Sequence, residues 1–296
     1  MASTEQNLAE FKTIDTWPDD DILAALIGGQ ERAIAAVRVA IPQISRAADA
    51  LAARLKLGGK LFYAGAGTSI RIGVQDGCEL PSTFGMAGNK IGYFIAGGQA
   101  AMFDTLADAE DNAEEGAHAA SALSPLDTLV AVAASGTTPY TVAAAKRARE
   151  IGATVIAVVN NQNTPLGATA DFEILLNSGA EVIAGSTRMG AGTAQKAALN
   201  LLSTLAHIKL GAVHDGMMVN VQADNLKLKK RARGIVALIA GAKEDAAAAA
   251  LDIAKGEVKP AILLCAGAAS IDVARQKLFE SHGNLRLALK SMAAKR

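Results

Sequence analysis

Two apolar runs in this sequence each end in a loop of glycine, serine and threonine, after which the chain resumes with helical spacing. The first is LFYAGAGTSIRIG, residues 61–73. The second has an apolar run over residues 129–133, the loop SGTT, and helical spacing over residues 139–150. A buried strand that leads through a tight loop into a helix is the repeating unit of parallel α/β sheets. The repeat therefore predicts a parallel sheet covered by helices on both faces.

Three further apolar runs extend the predicted sheet. They are IGYFIAGG from Ile91, ATVIAVVNN from Ala153 and FEILLNSG from Phe172. Helical periodicity starts after Pro18, and its spacing predicts a second helix over residues 31–55. A long helix is predicted over residues 192–210.

The composition changes near residue 230, where the chain becomes rich in alanine and helical in spacing. We therefore expect two domains. Residues 1–230 would form the sheet domain with an N-terminal helical arm, and residues 231–296 a small helical subdomain.

Both loops are suited to an anion. Gly65 and Gly67 allow close backbone approach, Thr68 and Ser69 add hydroxyl donors, and the start of a helix offers unpaired N–H groups. The carboxyl ends of parallel strands share one edge of a sheet, so the two loops should lie together and hold a phosphate. The alternative is an ordinary structural turn between a strand and a helix.

Composition and charge exclude several partners. Lysine and arginine together number 29, as do aspartate and glutamate, and aromatic residues make up 4%. A chain without net positive charge and with few aromatic residues is not expected to bind nucleic acid. No uninterrupted apolar stretch approaches the roughly 18 residues of a membrane span, and the N-terminus is polar and acidic. We expect a cytoplasmic protein with no membrane partner.

Several catalytic templates are absent. Ile70 replaces the third glycine of a dinucleotide-binding loop, and neither a P-loop nor a G-x-S-x-G elbow occurs. The four histidines form no metal-binding motif. A sugar phosphate held by hydroxyl and backbone N–H groups fits what remains, and carboxylates would then perform the chemistry. Glu79 is one candidate, and an acidic stretch offers Glu110, Asp111, Glu114 and Glu115. The alternative is that each is an ordinary solvated carboxylate.

Five motifs in order resemble those of the N-acetylmuramic acid 6-phosphate etherase family, a branch of the sugar isomerase (SIS) superfamily. They are GAGTSIRIGVQDGCELPSTFG, IAGGQAAM, AEDNAEEG, AASGTTPY and GAEVIAGSTRMGAGTAQK. The resemblance covers nearly the whole chain, from the Thr-Glu pair near the start to the helical tail.

The resemblance implies a fold and an activity. The fold is an α/β, five-stranded parallel SIS-type αβα sandwich with N-terminal helices and a small C-terminal helical subdomain, assembled as a homodimer. The activity is a lyase reaction of cell-wall amino-sugar recycling. It cleaves the D-lactyl ether of N-acetylmuramic acid 6-phosphate to N-acetylglucosamine 6-phosphate and D-lactate, without metal or organic cofactor. Two alternatives stay open: an aldose–ketose phosphosugar isomerase, and a non-catalytic SIS regulator that binds sugar phosphates.

The resemblance also implies roles for individual residues. Glu79 would be the proton donor, and Glu110 would be the second catalytic residue. The residues expected to bind the sugar phosphate are Gly67, Thr68, Ser69, Arg71, Ser135, Gly136, Thr137, Thr138, Glu181, Ser186 and Thr187.

The chain departs from the family pattern at a few positions. Ile70 stands where the family has glycine, and Gly190 stands where it has lysine. Gln99 replaces a common glutamate. In the family's M-V-D-V-x-x-T-N segment, this chain has Asn220 for the aspartate and Asp224 for the threonine.

Overall fold

Five parallel strands form one sheet, as the repeated strand–loop–helix pattern predicts. The structure is a computed structural model that describes residues 3–104, 106, 108–223 and 225–293, so Asp224 lies outside the described residues. The strands are β1 (Leu61–Gly65), β2 (Ile91–Ile95), β3 (Thr128–Ala133), β4 (Thr154–Val159) and β5 (Phe172–Leu175). Their order in the sheet is β2-β1-β3-β4-β5, and every pairing is parallel. The predicted five-stranded α/β fold is confirmed.

Helices account for most of the remaining described chain, with one short antiparallel pair, β6 (Val213–His214) and β7 (Met217–Met218). None of the described helices combines the length and the apolar character needed to cross a membrane. The α-helices are α1 (Asp19–Val39), α2 (Ile41–Lys56), α3 (Gly67–Phe84), α4 (Ala113–Ala120), α5 (Pro139–Ile151), α6 (Pro165–Thr169), α7 (Gly190–Lys209), α8 (Leu226–Ala240), α9 (Glu244–Ile253), α10 (Val258–Cys265), α11 (Ile271–Glu280) and α12 (Leu285–Ala293).

The predicted helix over residues 31–55 is divided between α1 and α2 instead. The chain turns at Ala40, and Pro42 lies in the first turn of α2. Proline is tolerated in a first helical turn because the N–H group that it lacks would have no helical partner there. The apolar spacing continues across the break, which is why periodicity alone did not reveal it.

The chain divides into two compact units. The first comprises residues 1–77 and 89–205, and the second comprises residues 78–88 and 206–296. In the first unit, every residue of β3 and β4 is buried, as expected for central strands covered on both faces. The second unit has its own apolar core, made from α8 to α12 and the segment around Val219 and Val221. The sequence-based boundary after residue 230 stays a prediction.

The strand order places a switch point between β1 and β3. From β1 the chain crosses to β2 on one side, and it then returns to add β3 on the other side. Open parallel sheets bind ligands at the carboxyl ends of the strands that flank such a point. The two hydroxyl-bearing loops follow β1 and β3.

Candidate active site

A cavity of about 370 Å³ opens at the switch point of the sheet. It is lined by the residues that follow β1, by those that follow β3, and by parts of three other loops of the first unit. Of the residues predicted from the sequence, the cavity brings together Gly67, Thr68, Ser69, Arg71, Glu110, Ser135, Thr138 and Thr187.

The β1–α3 turn brings backbone close to backbone. A β-carbon on Gly65 would lie 2.8 Å from the carbonyl oxygen of Val132 on β3, so this strand end requires glycine. Gly67 has φ of 51°, in the left-handed region, and begins α3. Thr68 and Ser69 follow in the first helical turn, where backbone N–H groups have no partner within the helix. The turn therefore presents donors to the cavity.

Ile70 takes no part in lining the cavity. Its side chain is 1% exposed. A β-carbon on Gly65 would lie 3.4 Å from the β-carbon of Ile70, so the isoleucine packs beneath the turn against the end of β1. At this departure from the family pattern, the side chain thus packs under the β1–α3 turn.

A buried polar network holds α3 against β1. The Tyr63 hydroxyl donates to Asp76 Oδ2 at 2.6 Å, and Asp76 Oδ1 accepts from Asn200 Nδ2 at 2.6 Å and Ser203 Oγ at 3.0 Å. Burial and the adjacent Asp76 raise the pKa of Tyr63 well above its ordinary value, so the phenol remains a donor at physiological pH. The network fixes the helix that carries the first loop.

The β3–α5 loop turns at Gly136. This glycine has φ of 68°, and a β-carbon on it would lie 2.5 Å from three side-chain atoms of Thr164. The Thr137 hydroxyl donates to Ser135 Oγ at 3.1 Å, so it closes the turn instead of lining the cavity. Ser135 and Thr138 do line it, and α5 begins directly after Thr138.

Glu110 reaches the cavity from a 3₁₀ helix, Ala109–Asp111. Its carboxylate lies over the first residue of α3, because a β-carbon on Gly67 would be 3.2 Å from Glu110 Oε1. The start of a helix carries the positive end of its dipole, which is a favourable place for a negative charge. Glu110 therefore lies beside the predicted anion-binding turn.

Arg71 is committed mainly to the backbone. Its Nε donates to the carbonyl oxygen of Met102 at 3.0 Å, and its Nη2 donates to that of Ala101 at 2.8 Å. The guanidinium group thereby shapes the 99–104 loop on the cavity wall. This is an additional role for a residue predicted to bind phosphate.

Sequence reasoning missed Glu5, which also lines the cavity. Asn161 holds its neighbours: Asn161 Nδ2 donates to Thr4 Oγ1 at 3.1 Å, and the Ser3 N–H donates to Asn161 Oδ1 at 2.7 Å. Thr4 is fully buried, and its carbonyl oxygen accepts from the Gly185 N–H at 3.3 Å. The Thr-Glu pair near the N-terminus was the available signal, but no role followed from it.

The loop before α7 contributes one of its three predicted residues to the cavity. Thr187 lines it, whereas Ser186 is not among the described lining residues. Glu181 is 5% exposed and accepts from the N–H groups of Gly190 and Ala191 at 2.9 and 2.8 Å. It therefore caps α7 where that helix begins.

Glu79 lies on α3, in the part of that helix that belongs to the second unit. Its side chain is exposed, and its carbonyl oxygen accepts from Ser82 Oγ at 3.2 Å. It is not among the described residues that line the cavity. Its predicted role as proton donor stays a prediction.

The charged residues of the described lining are Glu5, Arg71, Asp104 and Glu110. Three are acidic, and the arginine already donates to backbone carbonyl groups. A phosphate in this cavity would consequently depend on helix starts and hydroxyl groups, while the carboxylates are free to accept hydrogen bonds from sugar hydroxyl groups.

Comparison with known proteins agrees with this geometry. The SIS domain profile matches residues 102–205, and the profile of the glucokinase regulatory protein N-terminal SIS domain matches residues 43–148. Together with the sheet and its cavity, these matches define a SIS-domain protein.

The sequence relatives are more specific. An N-acetylmuramic acid 6-phosphate etherase of Symbiobacterium thermophilum is 48% identical, with 88% of this chain and 87% of that protein covered. Those of Deinococcus radiodurans and Streptomyces coelicolor are 42% and 44% identical over 97% of this chain, with 94% and 93% of their own lengths covered. The chain belongs to the N-acetylmuramic acid 6-phosphate etherase family.

Proposed function

We propose that this protein cleaves the D-lactyl ether of N-acetylmuramic acid 6-phosphate and releases N-acetylglucosamine 6-phosphate and D-lactate. One observation carries the proposal: in a chain of this family, the switch-point cavity combines two hydroxyl-bearing loops with the Glu110 carboxylate. We further propose that the enzyme acts in the cytoplasm as a homodimer.

In this proposal the two loops bind the sugar phosphate. The N–H groups at the start of α3 and the hydroxyl groups of Thr68, Ser69, Ser135 and Thr138 would surround the phosphate oxygens. The phosphate serves as a handle and is not the reacting group. This fits a lining in which carboxylates outnumber cations.

The chemistry needs one base and one acid. In the open-chain sugar, the C1 aldehyde acidifies the proton on C2, and a carboxylate removes that proton. The C3–O bond then breaks, its electron pair leaves with the lactyl oxygen, and an acid protonates that oxygen. Water finally adds to the unsaturated aldehyde, with its hydroxyl at C3 and a proton at C2.

We assign Glu110 as the base and Glu79 as the acid. Glu110 lies on the cavity wall beside the anion-binding turn, so its carboxylate can approach a sugar whose phosphate is seated there. The assignment of Glu79 rests on its position in the ELPST segment. Each positioned acid or base typically contributes about 10²–10⁴-fold to the rate.

Turnover in isotopically labelled water tests the proposed reaction. With N-acetylmuramic acid 6-phosphate, we expect release of D-lactate, hydrogen label at C2 and oxygen label at C3 of the product sugar. Exchange at C2 without lactate would instead indicate an isomerase, and binding without turnover would indicate a regulator.

Single substitutions test the two carboxylates. Glu110→Gln and Glu79→Gln should each lower kcat for lactate release by about 10²–10⁴-fold, while the affinity for N-acetylglucosamine 6-phosphate changes by only a few fold. Glu114→Gln, an exposed residue of the same acidic stretch, is the matched control and should retain full activity. Full activity of either test variant would contradict the role given to that residue.

A further inference from the structure

The second unit contains a cavity of its own, which the proposed reaction does not use. Its volume is about 630 Å³, and all of its described lining residues belong to that unit. The charged residues among them are Lys255, Glu257, Lys259 and Arg275. Three cations and one carboxylate give the lining a positive balance.

Lys259 is the most deeply buried of these charged groups. It lies in the first turn of α10 and is 8% exposed. Its Nζ donates to the carbonyl oxygen of Gly283 at 2.7 Å, which is its one hydrogen bond among the described residues. An ammonium group has three N–H donors, so two remain for another acceptor.

The carboxylate in the lining does not neutralise Lys259. Glu257 Oε1 instead accepts from Arg275 Nη2 at 2.5 Å. Burial lowers the pKa of Lys259 to about 8, so its ammonium form still predominates at neutral pH. A buried cation without a counterion is costly, and a bound anion would remove that cost.

A segment of the second unit, residues 219–223, also lines this cavity and contributes polar side chains. Val219 and Val221 are 1% and 4% exposed and belong to the core of the second unit. The residues between and after them are more accessible: Asn220 is half-buried, Gln222 is exposed, and both line the cavity. Gly85 supports the segment at close range, since a β-carbon there would lie 2.5 Å from the Asn220 carbonyl oxygen.

We propose that this cavity binds a small oxyanion, a phosphate or carboxylate group, through the Lys259 ammonium group and the amide of Asn220. Both kinds of group offer oxygen acceptors for the unused donors of Lys259. The positive balance of the lining favours them, and neutral Asn220 adds no opposing charge. This site is separate from the proposed function and does not depend on it.

Titration of the wild-type protein tests the site without any substitution. Inorganic phosphate, D-lactate and N-acetylglucosamine 6-phosphate are added separately, and the Lys259 side chain is followed by NMR with isotopically labelled lysine. We expect a saturable shift of the Lys259 signal and a rise in its pKa with at least one probe. Response to phosphate alone identifies a phosphate site, and response to D-lactate alone identifies a carboxylate site. Absence of a saturable shift with all three probes would overturn the proposal.

A nearly isosteric substitution provides the second test. Asn220→Asp places a carboxylate in the lining and should weaken anion binding by about tenfold or more through charge repulsion. Asn89→Asp, an exposed position in the first unit, makes the same charge change and should leave binding unaltered. Equal weakening by both variants would contradict a local site. Lactate release by the wild-type enzyme is measured in parallel, and its failure would count against the proposed function only.

Discussion

Gly136 shows how one residue fixes the shape of the β3–α5 loop. Two separate requirements meet there: a positive φ of 68° and the close approach of Thr164. The first disfavours any residue with a β-carbon, and the second leaves no space for one. The SGTT loop therefore depends on a contact with a residue that lies after the next strand.

Gly136→Ala should lower the free energy of unfolding by about 2–4 kcal/mol, the sum of backbone strain and overpacking. Gly179→Ala is the matched control, because Gly179 has φ of 75° and nothing within 4 Å of an added β-carbon. It should cost about 1–2 kcal/mol, which is the strain alone. Denaturant unfolding measures both values. Equal losses of unfolding free energy in the two variants would show that the close approach of Thr164 adds no cost at position 136.

No role is predicted for Glu5 from the sequence, but in the structure it lines the first cavity. Its carboxylate lines the cavity and has no hydrogen-bond partner among the described residues, so it is available to sugar hydroxyl groups. Glu5→Gln should raise KM for the phosphosugar by about tenfold, since a hydrogen bond to a charged acceptor contributes about 1.5–3 kcal/mol. We expect kcat to change little.

Steady-state kinetics of Glu5→Gln and Glu10→Gln provides the comparison. Glu10 is an exposed carboxylate on the same N-terminal segment, and its loss should leave both constants unchanged. An unaltered KM in Glu5→Gln would contradict a substrate contact.

At the scale of elements, the starts of α3 and α5 border the first cavity. The starts of α3 and α5 follow β1 and β3, so their unpaired N–H groups converge at the sheet edge. The start of α7 is different, because Glu181 occupies it. The first N–H groups of α7 donate to the buried Glu181 carboxylate, and among the described residues no carboxylate accepts a hydrogen bond at the starts of α3 and α5.

Glu181→Gln should therefore destabilise the protein by about 1–3 kcal/mol, because one of the two N–H groups at the start of α7 would lose its acceptor. Glu31→Gln, an exposed substitution within α1, should stay within about 0.5 kcal/mol of the wild type. Denaturant unfolding of the two variants checks this. Unchanged stability of Glu181→Gln would show that the cap is dispensable.

At the scale of the whole molecule, each unit has its own cavity, and the two differ in charge. Carboxylates predominate in the first lining and cations in the second. The formal charge of the chain is zero, so this separation is invisible in its composition. Burial of Lys259 in the second lining produces one pH effect that can be measured on the intact protein.

Stability should rise with pH between about 8 and 10.5 through Lys259. Its pKa in the folded protein is lowered by burial to about 8 from an ordinary 10.5, so in this window the unfolded chain binds more protons. The contribution is up to roughly 3 kcal/mol. Tyr63 and Tyr140 oppose it near the top of the window, because their pKa values are raised, that of Tyr140 to about 12, mainly by burial.

The difference between wild type and Lys259→Met isolates this effect, measured as unfolding free energy against pH in phosphate-free buffer. Lys255→Met should retain the rise, since Lys255 is exposed. A parallel pH dependence of the wild type and Lys259→Met would contradict the lowered pKa.

The sequence by itself determined the parallel sheet and the edge at which its loops meet. Apolar runs, the glycines after them and helical spacing are local signals, and local signals fix strands, turns and helix starts. The same signals predict an anion-binding turn at residues 67–69, and these residues line the cavity. They could not find the break at Ala40, because the apolar spacing continues across it.

Only the tertiary structure decided which side chains share a cavity. Glu5 lines it because its neighbours Ser3 and Thr4 hydrogen-bond to Asn161 and Gly185, far along the chain. Ile70 instead packs beneath the turn against the end of β1. Thr137 is predicted to bind the sugar phosphate, but its hydroxyl donates to Ser135 Oγ instead of lining the cavity. The physical reason is that cavity lining depends on long-range packing and side-chain hydrogen bonds, which spacing along the chain does not encode.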